Sequence, residues 1–304
     1  MTMRGPTPSS RICGACAMRC SVLIVNWRTS ELLRELLLSL RRHPASGGQE
    51  IIVVDNASDD FDEAAFRREF PEVHFLPQRE NLGFAAGNNL ALRHSTGEHL
   101  VLLNPDTQVT EGALDTLLDF LDHHPSAAIA APQLVFPDGT VQDSCRSFPW
   151  PMSILFTAMR LHIMFPRSRL LGAYRMTWFD HRHTRQVDQP MATCWAVRRS
   201  VVEQIGLFDE DFPILFNDVD FCWRVRQAGW EIWFVSEARV LHVGGAGTKK
   251  GGAAMFAESH RGLVRFYRKN LRGRTPAIAI ALASLVSWLN CVGRTLSARR
   301  AAAR

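Results

Sequence analysis

Several apolar runs in this chain stop on a carboxylate or a carboxamide, and those residues are where chemistry can be done. Leu100–Leu103 is followed by Asn104-Pro105-Asp106. Pro105 stiffens that turn at φ near −65°. A carboxylate in such a place can hold a divalent cation against a diphosphate, since hard cations choose oxygen ligands; it can equally be an Asx-type turn residue. The run Ser21–Trp27 carries Asn26 near its end, and Glu50–Val54 passes straight into Asp55-Asn56-Ala57-Ser58. A packed core does not require three strand ends that finish on Asn or Asp, and convergence on one crevice accounts for them. Asp218 and Asp220 fall in the first turn of a predicted helix, where the dipole favours anions. His242-Val-Gly-Gly-Ala-Gly-Thr248, followed by Lys249 and Lys250, offers N–H groups and cations to a phosphate, or is simply an exposed loop. Cys13, Cys16 and Cys20 have a metal-like spacing, but no fourth ligand is near and no His follows at finger spacing.

The elements that must position these residues read as follows. A strand over 21–27 precedes a helix over 30–43, N-capped by Thr29 or Ser30, with Leu32, Leu33, Leu36, Leu37 and Leu40 at helical spacing. A strand over 50–54 and a short one over 73–76 come next, then a helix over 85–95 and, within 100–107, a buried strand entered from Gly97-Glu98-His99 and stopped by Asn104-Pro105. Strand–helix–strand order with polar or Gly-rich carboxyl ends predicts a parallel sheet flanked by helices, with ligands bound at those ends. A helix over 110–123 and a strand over 127–136 follow. Between 143 and 190 the pattern weakens, and this insert reads as a cover over the crevice or as an ordinary helical excursion. A strand over 190–197, a helix with Val201, Val202 and Ile205, a helix opening at Phe216 and two strands, 230–235 and 238–242, complete the run.

The 304 residues can bury one large core or two small ones, and 46% hydrophobic with 21% charged residues is ordinary for a globular protein. The net charge of +5 owes much to arginines in the last forty residues, a tail suited to anionic phosphates or lipid headgroups, or merely solvated, rather than a nucleic-acid groove. Seven cysteines without an apolar leader fit a reducing, cytosolic setting. Residues 276–293 are uncharged, flanked by Arg, and slightly short for a span; a helix lying in the membrane interface with Trp288 as anchor fits, and a buried or dimer-forming helix is the alternative.

Together, SVLIVNW (21–27), IIVVDNASDD (51–60), ENLGFAAGNN (80–89), LLNPDT (102–107), FNDVDFCWRVRQAGW (216–230) and VLHVGGAGT (240–248) resemble, in order, the inverting nucleotide-sugar glycosyltransferases of family 2, in the rhamnosyltransferase-like branch. The resemblance implies the GT-A fold, an α/β Rossmann-like mixed sheet flanked by helices, here with a C-terminal helical extension. It divides the chain into a disordered extension over 1–20, the transferase domain over 21–250 and helices over 251–304. By position, Asn26 and Asp55 would line the nucleobase and ribose pocket, and Asn81, Gly83 and Asn88 would lie near the donor ribose or sugar. Asp106 matches the last Asp of the family's Asp-x-Asp metal motif, whose first member is here Asn104. His242 matches a histidine that helps hold the metal or diphosphate. Asp218 matches the catalytic base, although the Glu that precedes it in relatives is here Asn217; Asp220 is the second choice. The implied cofactor is Mg²⁺ or Mn²⁺, and the implied donor is a nucleoside-diphosphate sugar, dTDP-rhamnose first. The implied acceptor is a glycan or lipid-linked glycan, reached from the cytoplasmic face through peripheral membrane contact over 256–296; a homodimer is a further option. A nucleotidyltransferase would want a Gly-rich basic loop where Asn26-Trp27-Arg28 stands. The Asn104 and Asn217 departures keep a non-catalytic sugar-nucleotide-binding protein as the alternative.

Overall fold

The computed structural model describes residues 18–244 and 252–302; Cys13, Cys16 and the segment 245–251, with Lys249 and Lys250, lie outside the described residues. The first apolar runs form β1 (Cys20–Asn26), β2 (Gln49–Asp55), β3 (Val73–Pro77) and β4 (His99–Leu103), all parallel, in the order β3-β2-β1-β4. Helices α1 (Ser30–Arg42), α2 (Glu63–Glu69) and α3 (Gly83–Arg93) make the crossovers. The strands are apolar throughout because both faces are covered, so successive residues feed opposite cores. Val22, Ile24, Val53 and Val101 pack on one side against Leu33, Leu36 and Leu40 of α1. Leu23, Ile52, Leu100 and Leu102 pack on the other, with Ala85 and Ala91 of α3.

Beyond β4 the sheet becomes mixed. The chain runs through β5 (Thr107–Val109), α4 (Ala113–His123), β6 (Ala127–Val135), β7 (Cys145–Arg146), α5 (Pro151–Ala158), α6 (Leu161–Met164), β8 (Arg185–Gln186), β9 (Gln189–Pro190), β10 (Cys194–Arg198), α7 (Arg199–Ile205), α8 (Asn217–Gln227) and β11 (Glu231–His242). β10 lies antiparallel between β4 and β6; β11 is parallel to β6, and β5 closes the edge antiparallel to β11. β8 also pairs with β11, and β7 with β9 forms a separate two-stranded ribbon.

β4 ends at Leu103, where the Asn104-Pro105 stop is predicted, while three other expectations are corrected. Pro105 has no N–H to give a ladder, and Thr107 closes the turn with its N–H and its hydroxyl on the Asn104 carbonyl, at 3.2 and 2.6 Å. The two strands predicted over 230–242 are one, β11, with a register shift against β6 between Val235 and Arg239. The run 190–197 is split between β9 and β10. The N-terminal boundary at 20 falls inside β1, and Arg19 is tied to α4 by Asp119 and by Asp122 at 2.9 Å.

The C-terminal segment consists of α9 (Gly252–Phe266), a π-helical turn (Tyr267–Leu271) and α10 (Ala277–Ala302). Phe266, Tyr267 and Leu271 are buried in the same core as Trp195 and Phe221. The end of α9 and the π-helical turn are therefore built into the body.

Candidate active site

The carboxyl ends of β1 and β2 meet in register, Asn26 opposite Asp55, and both side chains are buried. Asn26 Nδ2 donates to Asp55 Oδ1 at 2.7 Å, Thr29 Oγ1 donates to Asn26 Oδ1 at 2.8 Å, and the Ser58 N–H donates to Asp55 Oδ2 at 3.0 Å. Each carboxylate oxygen can accept a second hydrogen bond, so Asp55 is held rigidly while remaining an acceptor. Next to this pair, Asn56 Nδ2 reaches the Gly83 carbonyl at 3.1 Å, and its buried Oδ1 has no partner.

Asn81 and Gly83 set the start of α3. Asn81 Oδ1 accepts from the Gly83 N–H at 2.8 Å, and Gly83 has φ of +83°. The N–H groups of Phe84 and Ala85 donate to the Pro213 carbonyl at 2.8 and 3.1 Å. A Cβ on Gly83 would lie 2.9 Å from that oxygen, so glycine permits both the left-handed backbone and the close approach. The loop before α8 is thereby clamped to the start of α3. Asn88 is buried and turns its amide onto the Phe84 carbonyl of its own helix, at 2.9 Å.

On the other flank of β4, Asp106 and His242 come together from the β4–β5 turn and the end of β11. His242 Nε2 is 3.5 Å from Asp106 Oδ2, and both side chains are buried. Gln142 fixes the ring: its Nε2 donates to the His242 carbonyl at 2.7 Å, so its Oε1 accepts from His242 Nδ1 at 2.8 Å. In the neutral ring this leaves the Nε2 lone pair facing Asp106, the arrangement of a metal-binding histidine with an outer-shell partner. Asn104 Oδ1, two residues before Asp106, is buried without a hydrogen-bond partner. Among the described residues no group of three or more His, Cys, Asp or Glu side chains could cage a metal. One carboxylate, one imidazole and an orphaned amide oxygen fit a cation that completes its shell with substrate phosphate and water, as Mg²⁺ commonly does.

Asp218 sits in the first turn of α8, partly buried. Its Oδ2 accepts from Gln189 Nε2 at 2.9 Å, and its Oδ1 from the Val219 N–H at 2.8 Å. Burial pushes its carboxyl up from 3.8 to about 6, against the pull of those two donors. A carboxylate with a pKa just below neutral is ionised at working pH yet basic enough to take a proton from a hydroxyl. Phe216, immediately before α8, has φ of +69°, a costly conformation for an aromatic residue that the surroundings must enforce. Gly262 of α9 lets it seat there, since a Cβ would lie 2.6 Å from the Phe216 ring.

Asn217 spends its amide protons on the carbonyls of Phe212 and Ile214, at 3.2 and 2.9 Å. A glutamate could donate neither bond. Asp220, the second choice for base, is fully buried and accepts from Arg224 Nε at 2.9 Å, Lys269 Nζ at 3.0 Å and Asn270 Nδ2 at 3.0 Å. It fastens α8 to the π-helical turn, and both of its oxygens are engaged in doing so. Gln142 and Gln189 carry no signal in the sequence: Gln142 lies between β6 and β7 and Gln189 in the two-residue strand β9, and only the folded sheet shows what they hold.

Residues 21–206 match the family model described as glycosyl transferase family 2. The N-acetylglucosaminyl-diphospho-decaprenol L-rhamnosyltransferase of Mycobacterium tuberculosis (strain H37Rv) is 31% identical over 224 residues, covering 69% of this chain and 72% of that one. The low-salt glycan biosynthesis hexosyltransferase Agl10 of Haloferax volcanii is 26% identical over 227 residues, covering 73% and 66%. Two solved structures share the fold. One is the mannosyltransferase PcManGT from Pyrobaculum calidifontis in complex with GDP-Man and Mn²⁺, with TM-score 0.56, 20% identity and coverage of 94% and 75%. The other is GalNAc-T7 with UDP, GalNAc and Mn²⁺, with TM-score 0.57, 15% identity and coverage of 74% and 44%. The chain belongs to glycosyl transferase family 2: it is a glycosyltransferase of GT-A fold, similar to rhamnosyltransferases.

Proposed function

We propose that this protein transfers a sugar, rhamnose from dTDP-rhamnose in the first instance, to a hydroxyl of a cell-surface glycan or its lipid-linked precursor, with inversion at the anomeric carbon. The observation that carries the reading is the tautomer-fixed His242 beside Asp106, at 3.5 Å, together with the raised, doubly hydrogen-bonded Asp218 at the start of α8. Asn26 and Asp55 take the nucleoside, Asp55 as acceptor for a base or ribose donor. Asn81 and Gly83 shape the wall beside the donor sugar, and Asn88 supports that wall from inside α3. Asp106, His242 and Asn104 would hold Mg²⁺ or Mn²⁺, which supplies positive charge to the departing diphosphate. Asp218 accepts the proton of the acceptor hydroxyl as its oxygen attacks the anomeric carbon; the bond from that carbon to the diphosphate oxygen breaks, and the nucleoside diphosphate leaves. The 31% identity to a rhamnosyltransferase acting on a lipid-diphosphate sugar supports this donor and acceptor class. Work at the inner face of the cell membrane follows from such an acceptor.

The test is a panel of dTDP-, UDP- and GDP-sugars with purified protein and Mg²⁺ or Mn²⁺, following nucleoside diphosphate release with and without a polyprenyl-diphosphate-sugar acceptor. Release from dTDP-rhamnose that is abolished by EDTA and by Asp106→Ala supports the reading. Nucleotide binding with no release from any donor, acceptor present, would favour the binding-protein alternative that Asn104 and Asn217 keep open.

A further inference from the structure

Residues 144–179, the insert between β6 and β8, take no part in the chemistry described above, and two of their properties are unusual together. From Ser144 to Phe179 there is no Asp or Glu, while Arg146, Arg160, Arg167, Arg169 and Arg175 are present. Arg160, Arg167 and Arg175 are exposed, with no ion pair to an acid among the described residues. The same insert leaves large apolar side chains in solvent: Met152, Met159, Ile163, Met164, Phe165 and Leu170 are all about half exposed or more, Ile163 at 64% and Met164 at 67%. A soluble surface rarely gathers so many.

The insert is not alone. Helix α10 packs against α5 and α9, using the face that carries Ile280, Ala283 and Ser287, the last 3.2 Å from His260 of α9. Its opposite face presents Ile278, Leu282, Leu285, Leu289 and Val292, all exposed, and only 6% of the window Ala277–Thr295 is buried. After Glu258 the chain again has no acid, and Arg294 flanks the stripe. Two neighbouring elements thus combine exposed apolar side chains with unopposed arginines. That is the composition of a surface that inserts shallowly among lipid headgroups, and the charge is complementary to an anionic leaflet. A contact between copies would have to bring these arginines face to face with their own kind.

We infer that the α5–α6 insert and the outer face of α10 form one docking surface for an anionic phospholipid bilayer. The two lie side by side, so α10 rests along the interface instead of crossing it. The insert leads from β7, whose Arg146 is the register partner of Gln189, the residue that holds Asp218. Docking therefore brings the base to the membrane surface, where a lipid-linked hydroxyl would be presented; that last clause rests on the transfer reading above.

The experiment is co-sedimentation of the full chain with phosphatidylcholine vesicles and with vesicles containing phosphatidylglycerol. It compares wild type with Ile163→Asp/Phe165→Asp and Leu285→Asp/Leu289→Asp, with circular dichroism and thermal melts as fold controls. Wild type is expected to bind the anionic vesicles and to be weakened by salt, and each double variant to lower the partition coefficient about tenfold or more while melting normally. An insert variant that binds as wild type does would remove the insert from the surface. Failure of wild type to bind anionic vesicles, with a dimer in sedimentation equilibrium that Leu285→Asp/Leu289→Asp dissolves, would make α10 a subunit seam and overturn the inference. Donor turnover measured on the same samples separates the two proposals: vesicle binding without turnover leaves docking intact and defeats the transfer reading, and turnover without binding does the reverse.

Discussion

Replacing Gln189 by Met removes one donor from Asp218 while keeping nearly the same side-chain volume. In the folded protein Asp218 stands at about 6 because burial outweighs the two hydrogen bonds to its charged form. A hydrogen bond to an ionised group is worth about 1.5 kcal/mol or a little more, and one pKa unit is about 1.4 kcal/mol. Losing the Gln189 bond at 2.9 Å should therefore raise the carboxyl by roughly one unit, to about 7. The acid limb of kcat/KM, which reports the free enzyme, should follow. At pH 6 the ionised fraction drops from about one half to about one tenth, at pH 7 from about nine tenths to about one half, and at pH 8.5 it barely changes. Nucleoside diphosphate release across pH 5 to 9 with saturating metal measures this. An acid limb that stays in place, moves downward, or is replaced by a uniform loss at every pH would refute the assignment of Asp218 as the titrating base under Gln189's control.

Other outcomes follow from the same geometry. Ionised Asp218 costs folding free energy: between about pH 4 and pH 6 the folded chain keeps a proton that the unfolded chain has released, so stability falls as pH rises through that window. Asp218→Asn should raise Tm at pH 7.5, by an amount on the order of 1–3 kcal/mol in stability, and leave it unchanged near pH 3.5, as scanning calorimetry can read. Gly83→Ala puts a methyl 2.9 Å from the Pro213 carbonyl at φ of +83°; a loss of about 1–3 kcal/mol in urea denaturation and a raised KM for donor are expected. Asp220→Ala strands Arg224 and Lys269 and should cost about 3–5 kcal/mol. Asp220→Asn, which still accepts hydrogen bonds, should be less stable than wild type but keep turnover, and its loss of turnover while folded would reinstate Asp220 as base.

What the sequence made legible, and what it did not, divides along physical lines. Runs such as Val22–Val25 and Leu100–Leu103 are buried on both faces, and uninterrupted β-branched and Leu residues announce that by composition. Asn26, Asp55 and Asp106 were visible because strand ends in a parallel sheet point into one crevice. The stop of β4 at Asn-Pro is legible, but the strand β5 is not, because Thr107–Val109 is too short to show an alternation and its partner β11 is met only in the folded sheet. Gln142 and Gln189 left no trace in spacing, since their partners His242 and Asp218 lie 100 and 29 residues away and are met only through the folded sheet. Asp218 and Asp220 are the same residue type in the same turn; the difference between them is made by Lys269 and Asn270, some fifty positions downstream.

The most direct measurement of the central claim sets Asp218→Asn beside wild type with dTDP-rhamnose, metal and a lipid-linked acceptor, reading donor Kd by calorimetry and product formation by chromatography. Donor affinity should be unchanged, kcat should fall about 10²–10⁴-fold, and wild type should give product with the anomeric configuration inverted. Turnover by Asp218→Asn at the wild-type rate, or a product of retained configuration, would contradict the role of Asp218 as base in an inverting transfer.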